Sequence, residues 1–358
     1  MYAIDKLQRP LDVAFIVFKR SSQMKLLACL LVLLSFPSFA AVILQYHHVS
    51  TQTPRSTSVT PEEFRVHLQY LKDHKYQVIG LDTLLDQLQQ GKEPADNAVV
   101  ITFDDGFDNI YHQAHPILQE FDFPYTVFLS PALIDRKEGP VLSWPQIKQL
   151  HDDGVIIANH SSYHAHLAKP NKGESKAEWL KRVKTDILLA QTQLEQQLGI
   201  KHKWLAYPYG DFSVELEQMV KDLGFIGIGQ QSGAVSLNSL MTRLPRYPSS
   251  SQYAALKHFI PKLKTLALPV KNYIAADPVK GPNPPTLTLQ IDSSDFKTSQ
   301  LNCFSNGKPI EVTWLKPDTF SAKAGQKLKT SHKRYNCTAP SLSKKGYFYW
   351  YSQPWVME

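Results

Sequence analysis

Three short runs of the chain carry side chains with chemistry to offer. Thr102-Phe103-Asp104-Asp105-Gly106-Phe107-Asp108-Asn109 puts two adjacent carboxylates at the end of an apolar run, residues 98–103, that reads as a buried strand. Carboxylates in such a place are costly unless each finds a partner. Gly106 lets the backbone turn at once behind them. Asp152-Asp153-Gly154 repeats the tripeptide without a preceding strand and reads as a turn. His160-Ser161-Ser162-Tyr163-His164 follows a second apolar run, 155–158. Imidazoles at i and i+4 face the same way on one helical turn and can hold one ion, with His166 as a nearby alternative ligand. Leu205-Ala206-Tyr207-Pro208-Tyr209-Gly210-Asp211 follows a third strand and by itself is a turn. One carboxylate, two imidazoles and an open position suit a catalytic divalent cation: Zn2+ first, with Fe2+, Co2+ or Ni2+ as alternatives.

The elements that must bring these runs together alternate. Short apolar strands are expected at 42–44, 77–80, 98–103, 125–129, 155–158, 204–207 and 225–228. Amphipathic helices fall between them. Thr60-Pro61-Glu62-Glu63 is a capping box with Pro at the first helical position. The longest helix, 175–198, presents Leu180, Val183, Ile187, Leu194 and Leu198 as one stripe and ends at Gly199. Repeated strand–helix units predict an α/β fold with a parallel sheet, closed into a barrel, with an open doubly wound sheet as the other solution. In a barrel, the residues after the strands meet at one face.

The chain divides into four stretches: a signal peptide at 1–40, a barrel at 41–270, a Pro-rich linker at 271–285 and a small β-sandwich at 286–358. The linker rests on Pro278, Gly281, Pro282, Pro284 and Pro285. The sandwich rests on alternating strands around an Asn306-Gly307 hairpin turn. Lys25, an apolar run of about ten residues and Pro37-Ser38-Phe39-Ala40 make the secretory pattern, and Met24 offers a second start site. The run is too short to span a bilayer, so a mature chain in the periplasm or outside the cell, without a transmembrane helix, is expected. After cleavage two cysteines remain. In an oxidising compartment Cys303 and Cys337 should pair, closing a loop of about 35 residues worth roughly 3–4 kcal/mol. The net charge of +7 lies partly in the leader, and no basic stripe with interleaved aromatics argues for nucleic acid. A monomer is expected.

The runs at 102–109, 160–164 and 207–210 resemble the first three motifs of the polysaccharide deacetylases (the NodB-homology family, carbohydrate esterase family 4). Leu44-Gln45-Tyr46-His47-His48-Val49, with the helix from Pro61 and the stretch 78–85, is similar to the branch acting on poly-β-1,6-N-acetylglucosamine. The resemblance spans about 41–250. It implies a distorted (β/α)7 barrel and a metal-dependent hydrolase that removes N-acetyl groups from an N-acetylglucosamine polysaccharide. Position by position, it makes Asp104 the general base and Asp105, His160 and His164 the metal ligands. Tyr209 supplies a backbone N–H to the oxyanion, while Asn109 and Ser161 support the first two motifs. Two departures stand out. The Arg that braces the base in many members is Ala206 here, leaving Arg243 or Arg246 to reach in. The late His that serves as general acid has no match. His47 and His48, just after the first strand, are the better-placed candidates, and His258 in an amphipathic helix reads as structural.

Two other classes fit parts of the pattern. A non-catalytic carbohydrate-binding barrel would explain the missing Arg and late His. Against a glycoside hydrolase using Asp104 or Asp105 with a distant carboxylate, adjacent residues on a strand point apart and both imidazoles would be unexplained. In the C-terminal region Trp314, Tyr347, Tyr349, Trp350 and Trp355 are divided between a small aromatic core and a glycan-binding face.

Overall fold

The computed structural model describes residues 40–274, 277–329 and 333–356. The expected signal peptide, apart from its last residue Ala40, lies outside them. Seven short strands run parallel: Val42–Tyr46 (β1), Ala98–Phe103 (β2), Thr126–Leu129 (β3), Ile156–Asn159 (β4), Trp204–Ala206 (β5), Ile226–Ile228 (β6) and Tyr247–Pro248 (β7). They pair in the order β7-β1-β2-β3-β4-β5-β6, with Gln77–Val78 added beside β2. The curl closes through one segment. Leu244 pairs with Ile228 of β6, and three residues later Tyr247 pairs with Leu44 of β1. This is the distorted barrel that the strand–helix alternation requires, and the closing β7 is the strand that periodicity cannot show, because it is two residues long.

Local chemistry sets the helices. In Pro61–Asp73 the Thr60 side chain accepts from the Glu63 N–H while Glu63 accepts from the Thr60 N–H. Lys176–Leu198 opens with the same device between Ser175 and Glu178 and stops where Gly199 takes φ +72°. Its buried face is Trp179, Val183, Ile187, Ala190 and Leu194, rotated slightly from the expected stripe, so that Leu180 and Leu198 sit at the edge. Each fully buried aliphatic side chain there contributes about 1.5–3 kcal/mol.

The second sheet has eight strands: Thr265–Ala267 (β8), Val270–Tyr273 (β9), Thr286–Ile291 (β10), Asn302–Ser305 (β11), Lys308–Lys316 (β12), Thr319–Lys323 (β13), Lys333–Pro340 (β14) and Phe348–Trp355 (β15). Their order is β8-β15-β14-β11-β12-β13-β10-β9. Strand β12 pairs with β11 through its first residues and with β13 through the rest, so it passes from one layer to the other. The edge strands β8 and β9 are joined by Leu268-Pro269 alone, which makes the sheet fold back on itself. Asn306 and Gly307 both take positive φ at the β11–β12 hairpin, as a tight two-residue turn demands. Cys303 and Cys337, directly opposed on β11 and β14, form a disulfide.

The sheet thus takes in strands from both sides of the expected boundary. Residues 271–273, placed in the linker by the sequence reading, belong to β9, which pairs with β10. The Pro-rich stretch that follows is tied down. Pro278 accepts from the Val356 N–H, Asn283 exchanges two hydrogen bonds with Leu328, and the Tyr335 hydroxyl donates to Pro285 O. No helix among the described residues is long and apolar enough to cross a membrane.

Candidate metal centre and its buried carboxylate

Strand β2 delivers both aspartates to the end of the barrel. Asp104 extends the ladder, its N–H donating to Tyr46 O at the end of β1. Asp105 and Gly106 then take φ of +71° and +69° in succession, which swings the chain off the strand and turns the two carboxylates different ways. Only glycine fits at 106, because a Cβ there would lie 2.3 Å from Leu129 Cδ2.

The Asp105 carboxylate meets two imidazoles. Its Oδ1 is 3.2 Å from His160 Nε2 and 3.1 Å from His164 Nε2. His160 is buried, and its Nδ1–H donates to Ala206 O at 2.8 Å. That bond puts the proton of the neutral ring on Nδ1 and leaves Nε2, which faces Asp105, as the atom able to ligate. Asp105 Oδ1 and His160 Nε2 are both buried yet have no aligned hydrogen-bond partner. Close approach without alignment is what converging ligands show and what a paired Asp–His does not. Among the described residues, this is the one group of three or more His, Cys, Asp or Glu with ligand atoms close enough to share an ion. Two nitrogens and a carboxylate oxygen with one side open fit a catalytic zinc or a similar divalent cation. Burial works to raise the Asp105 carboxyl, but His160 and His164 outweigh it and hold it well below the ordinary range.

The segment from His160 to His164 is an irregular loop, not the helical turn that the i, i+4 spacing suggested, with Ser161 at φ +59° and His164 at φ +52°. The backbone N–H groups of the loop are claimed from outside it, and this prevents the turn. Asn159 Oδ1 accepts from Ser161 N–H (2.8 Å). Asp186, on the buried face of Lys176–Leu198, accepts from the N–H groups of Ser162 (2.6 Å) and Tyr163 (3.1 Å). His166 is turned away from the ligand cluster, 3.1 Å from Asp211 and stacked on Tyr209 at 4.0 Å.

Asp104 is fully buried beside this cluster. Arg246 donates from Nη1 to Oδ1 (2.7 Å) and from Nη2 to Oδ2 (2.8 Å), and Gln45 donates to Oδ2 (2.7 Å). Burial works to raise its pKa. The Arg246 guanidinium, then His160 and His47, reverse that and leave the carboxyl below its ordinary value. Arg246 arrives from the segment that closes the barrel and is itself fixed on Gly229 O and Thr102 Oγ1. Of the two arginines left open by the sequence, Arg243 pairs instead with Glu217 at 3.4 Å.

His47 and His48 diverge. His47 Nε2 lies 3.9 Å from Asp104 Oδ2, and the side chain is partly exposed. His48 is buried, stacks on Phe107 at 3.7 Å and shares a 2.8 Å hydrogen bond with the Asn109 amide. Burial, with His47 beside it, pushes its pKa down to about 4. Asn109 also accepts from Val49 N–H (2.9 Å), so it ties the β2 turn to the segment that follows β1. Tyr209 sits at φ +60° with its ring 4.7 Å from His164 and largely exposed. His258 lies exposed on the helix Leu256–Leu263.

Asp186 and Asn159 escape a motif reading, and Gln45, inside the run 44–49, was given no role there. Each is a polar residue interrupting an apolar face, and that interruption is the signal that could have found them.

At the barrel's strand ends an Asp-His-His cluster thus stands beside a second, arginine-bound aspartate. Residues 91–228 match the polysaccharide deacetylase family, and the chain carries a polysaccharide deacetylase domain. The matched span contains Asp104, Asp105, His160, His164 and Tyr209 but ends before Arg246. The chain is 27% identical over 232 residues to the poly-beta-1,6-N-acetyl-D-glucosamine N-deacetylase of Staphylococcus epidermidis, covering 60% of this chain and 80% of that protein. It is 25% identical over 246 residues to the Staphylococcus aureus protein of the same name, covering 63% and 84%. Among solved structures, the Streptococcus pyogenes deacetylase PplD matches with TM-score 0.56 at 22% identity, over 63% of this chain and 99% of that one. IcaB from Ammonifex degensii matches with TM-score 0.52 at 22% identity, over 62% and 97%. The structural matches establish the fold.

Proposed function

We propose that this protein is an exported, metal-dependent hydrolase that removes N-acetyl groups from an N-acetylglucosamine polysaccharide, poly-β-1,6-N-acetylglucosamine being the substrate suggested by its Staphylococcus relatives. The observation that carries the reading is the separation of duties between neighbours. Asp105 is turned toward two imidazoles, while Asp104 is turned toward a guanidinium and stays clear of the ligand cluster.

In this reading Asp105, His160 and His164 hold the cation, which when bound polarises an acetamide carbonyl and acidifies water. Asp104 takes the proton from the attacking water. Its carboxylate has about four acceptor positions, and Arg246 and Gln45 occupy three, leaving one on Oδ1. Arg246 keeps the group ionised in a buried place, and Gln45 fixes its plane. The Tyr209 N–H serves the developing oxyanion. His47, the partly exposed imidazole nearest Asp104, hands a proton to the departing sugar amine. Acetate and a glucosamine unit leave.

The test is acetate release from poly-β-1,6-N-acetylglucosamine oligomers alongside metal analysis. Asp104→Asn should abolish turnover and keep the metal; His160→Ala should lose both. Full activity in Asp104→Asn would refute the assignment. A carbohydrate-binding barrel without activity would bind metal and polymer yet release no acetate from any N-acetylated glycan.

A further inference from the structure

Away from the strand-end site, a cavity of about 520 Å³ lies at the seam between the barrel and the second sheet. We propose that it binds a carboxylate-bearing sugar unit of an anionic glycan, with Arg334 and Lys262 taking the carboxylate and Trp350 stacking on the ring.

Its volume is in the range of small-ligand sites. Trp350, Tyr247 and Tyr253 form an aromatic wall, and the indole is held in place. Trp350 Nε1 donates to Ser352 Oγ (2.9 Å), Ser352 Oγ donates to Asn336 Oδ1 (2.5 Å), and the Tyr247 ring meets the indole edge-on at 6.3 Å. A half-buried, rigid aromatic face suits the C–H face of a pyranose. Asn336 uses its oxygen in that chain, so its amide N–H groups remain available for sugar hydroxyls.

The charge is one-sided. Among the described residues, no Asp or Glu lines the cavity. Lys262 is buried, with Nζ held by Pro248 O and Tyr253 O, and burial pushes its pKa down to about 7. Arg334 makes no hydrogen bond or ion pair among the described residues, and burial presses its pKa downward too. Asp211, whose field reaches it, is already paired with His166. Arg334 is half-buried on the cavity wall, and a partly desolvated guanidinium that no carboxylate pairs directly is stabilised by an anionic ligand. The same cations repel glucosamine units, which are positive once deacetylated, so the cavity disfavours the product of the proposed reaction. This inference does not depend on that reaction.

The experiment is calorimetric titration of the whole protein with a hyaluronan tetrasaccharide (alternating glucuronate and N-acetylglucosamine), with chitotetraose and with inorganic phosphate. The hyaluronan fragment should bind at least tenfold more tightly than either comparator. Arg334→Gln and Trp350→Ala should each weaken it tenfold or more, while His164→Ala should bind as wild type. Arg334→Lys, which keeps the charge, should retain part of the affinity and covers the case in which Arg334→Gln unfolds. Equal binding of chitotetraose or phosphate, an unaffected Arg334→Gln, or loss of binding in His164→Ala would each overturn the proposal.

Discussion

Arg246 grips Asp104 with both terminal nitrogens across 142 residues of sequence, and neither side chain has any exposed surface. The pair stands in the barrel's interior because β7 is the closing strand. Removing the cation would strand a buried carboxylate, and breaking such a pair costs about 3–5 kcal/mol. Arg246→Met should therefore lower the unfolding midpoint by many degrees and cut kcat by at least a hundredfold. Arg246→Lys keeps the charge but loses the fork, so it should recover stability more than activity. Thermal melts and acetate release on the two variants check this, and unchanged melting in Arg246→Met would contradict it.

Metal dependence predicts a graded series. Chelation should silence the enzyme, and added Zn2+ should restore it. Because His160 is oriented by the Ala206 carbonyl while His164 is partly exposed and held by its loop, His160→Ala should lose the most affinity. Metal titrations of both variants decide the order, and the reverse order would put the weight on the wrong imidazole.

Much of the site was legible because its residues follow strands that announce themselves. Residues 98–103 and 204–206 are too apolar to be anything else, and the aspartates and Tyr209 come directly after them. The brace was legible only as a choice between Arg243 and Arg246. Ala206 occupies the expected arginine position, and its carbonyl is used to orient His160. The guanidinium comes from the far end of the barrel, through a strand two residues long that has no periodicity to read. The second sheet was half legible for a similar reason. Its long strands alternate, but β8 and β9 precede the Pro-rich stretch and are too short to distinguish from the end of a helix.

Asp186 tests how the ligand loop is held. It is buried on a helix face, and burial keeps its pKa raised even though the Ser162 and Tyr163 N–H groups pull the other way. Asp186→Asn offers those N–H groups a neutral acceptor, and Asp186→Ala offers none. Losing one partner of a buried hydrogen bond costs about 1–3 kcal/mol. The alanine variant should bind metal at least tenfold more weakly with little change in the helix content seen by circular dichroism, and the asparagine variant should fall between. Wild-type metal affinity in Asp186→Ala would show that the loop holds its own shape.

His67 makes the stability of the barrel depend on pH with a definite sign. Its Nε2 is 2.5 Å from Ala254 O, which can only accept, so Nε2 carries the proton and Nδ1 accepts from the Tyr46 hydroxyl at 2.9 Å. The ring is neutral, fully buried and stacked on Phe259 at 4.0 Å. Burial pushes its pKa from 6.5 down to about 4. Between those values the unfolded chain binds a proton that the native state refuses, so stability falls as pH falls through that window. The contribution is complete above 6.5, and by pH 4 about 3 kcal/mol of it is gone. His48, also depressed by burial to about 4, adds a slope of the same sign. His67→Gln cannot titrate. It should be less stable than wild type at pH 7 by about 1–2 kcal/mol for the disturbed hydrogen bonds, yet lose less on going to pH 4.5. Urea midpoints for both proteins at the two pH values measure the difference, and parallel losses would mean that native His67 takes up its proton as readily as the unfolded chain does.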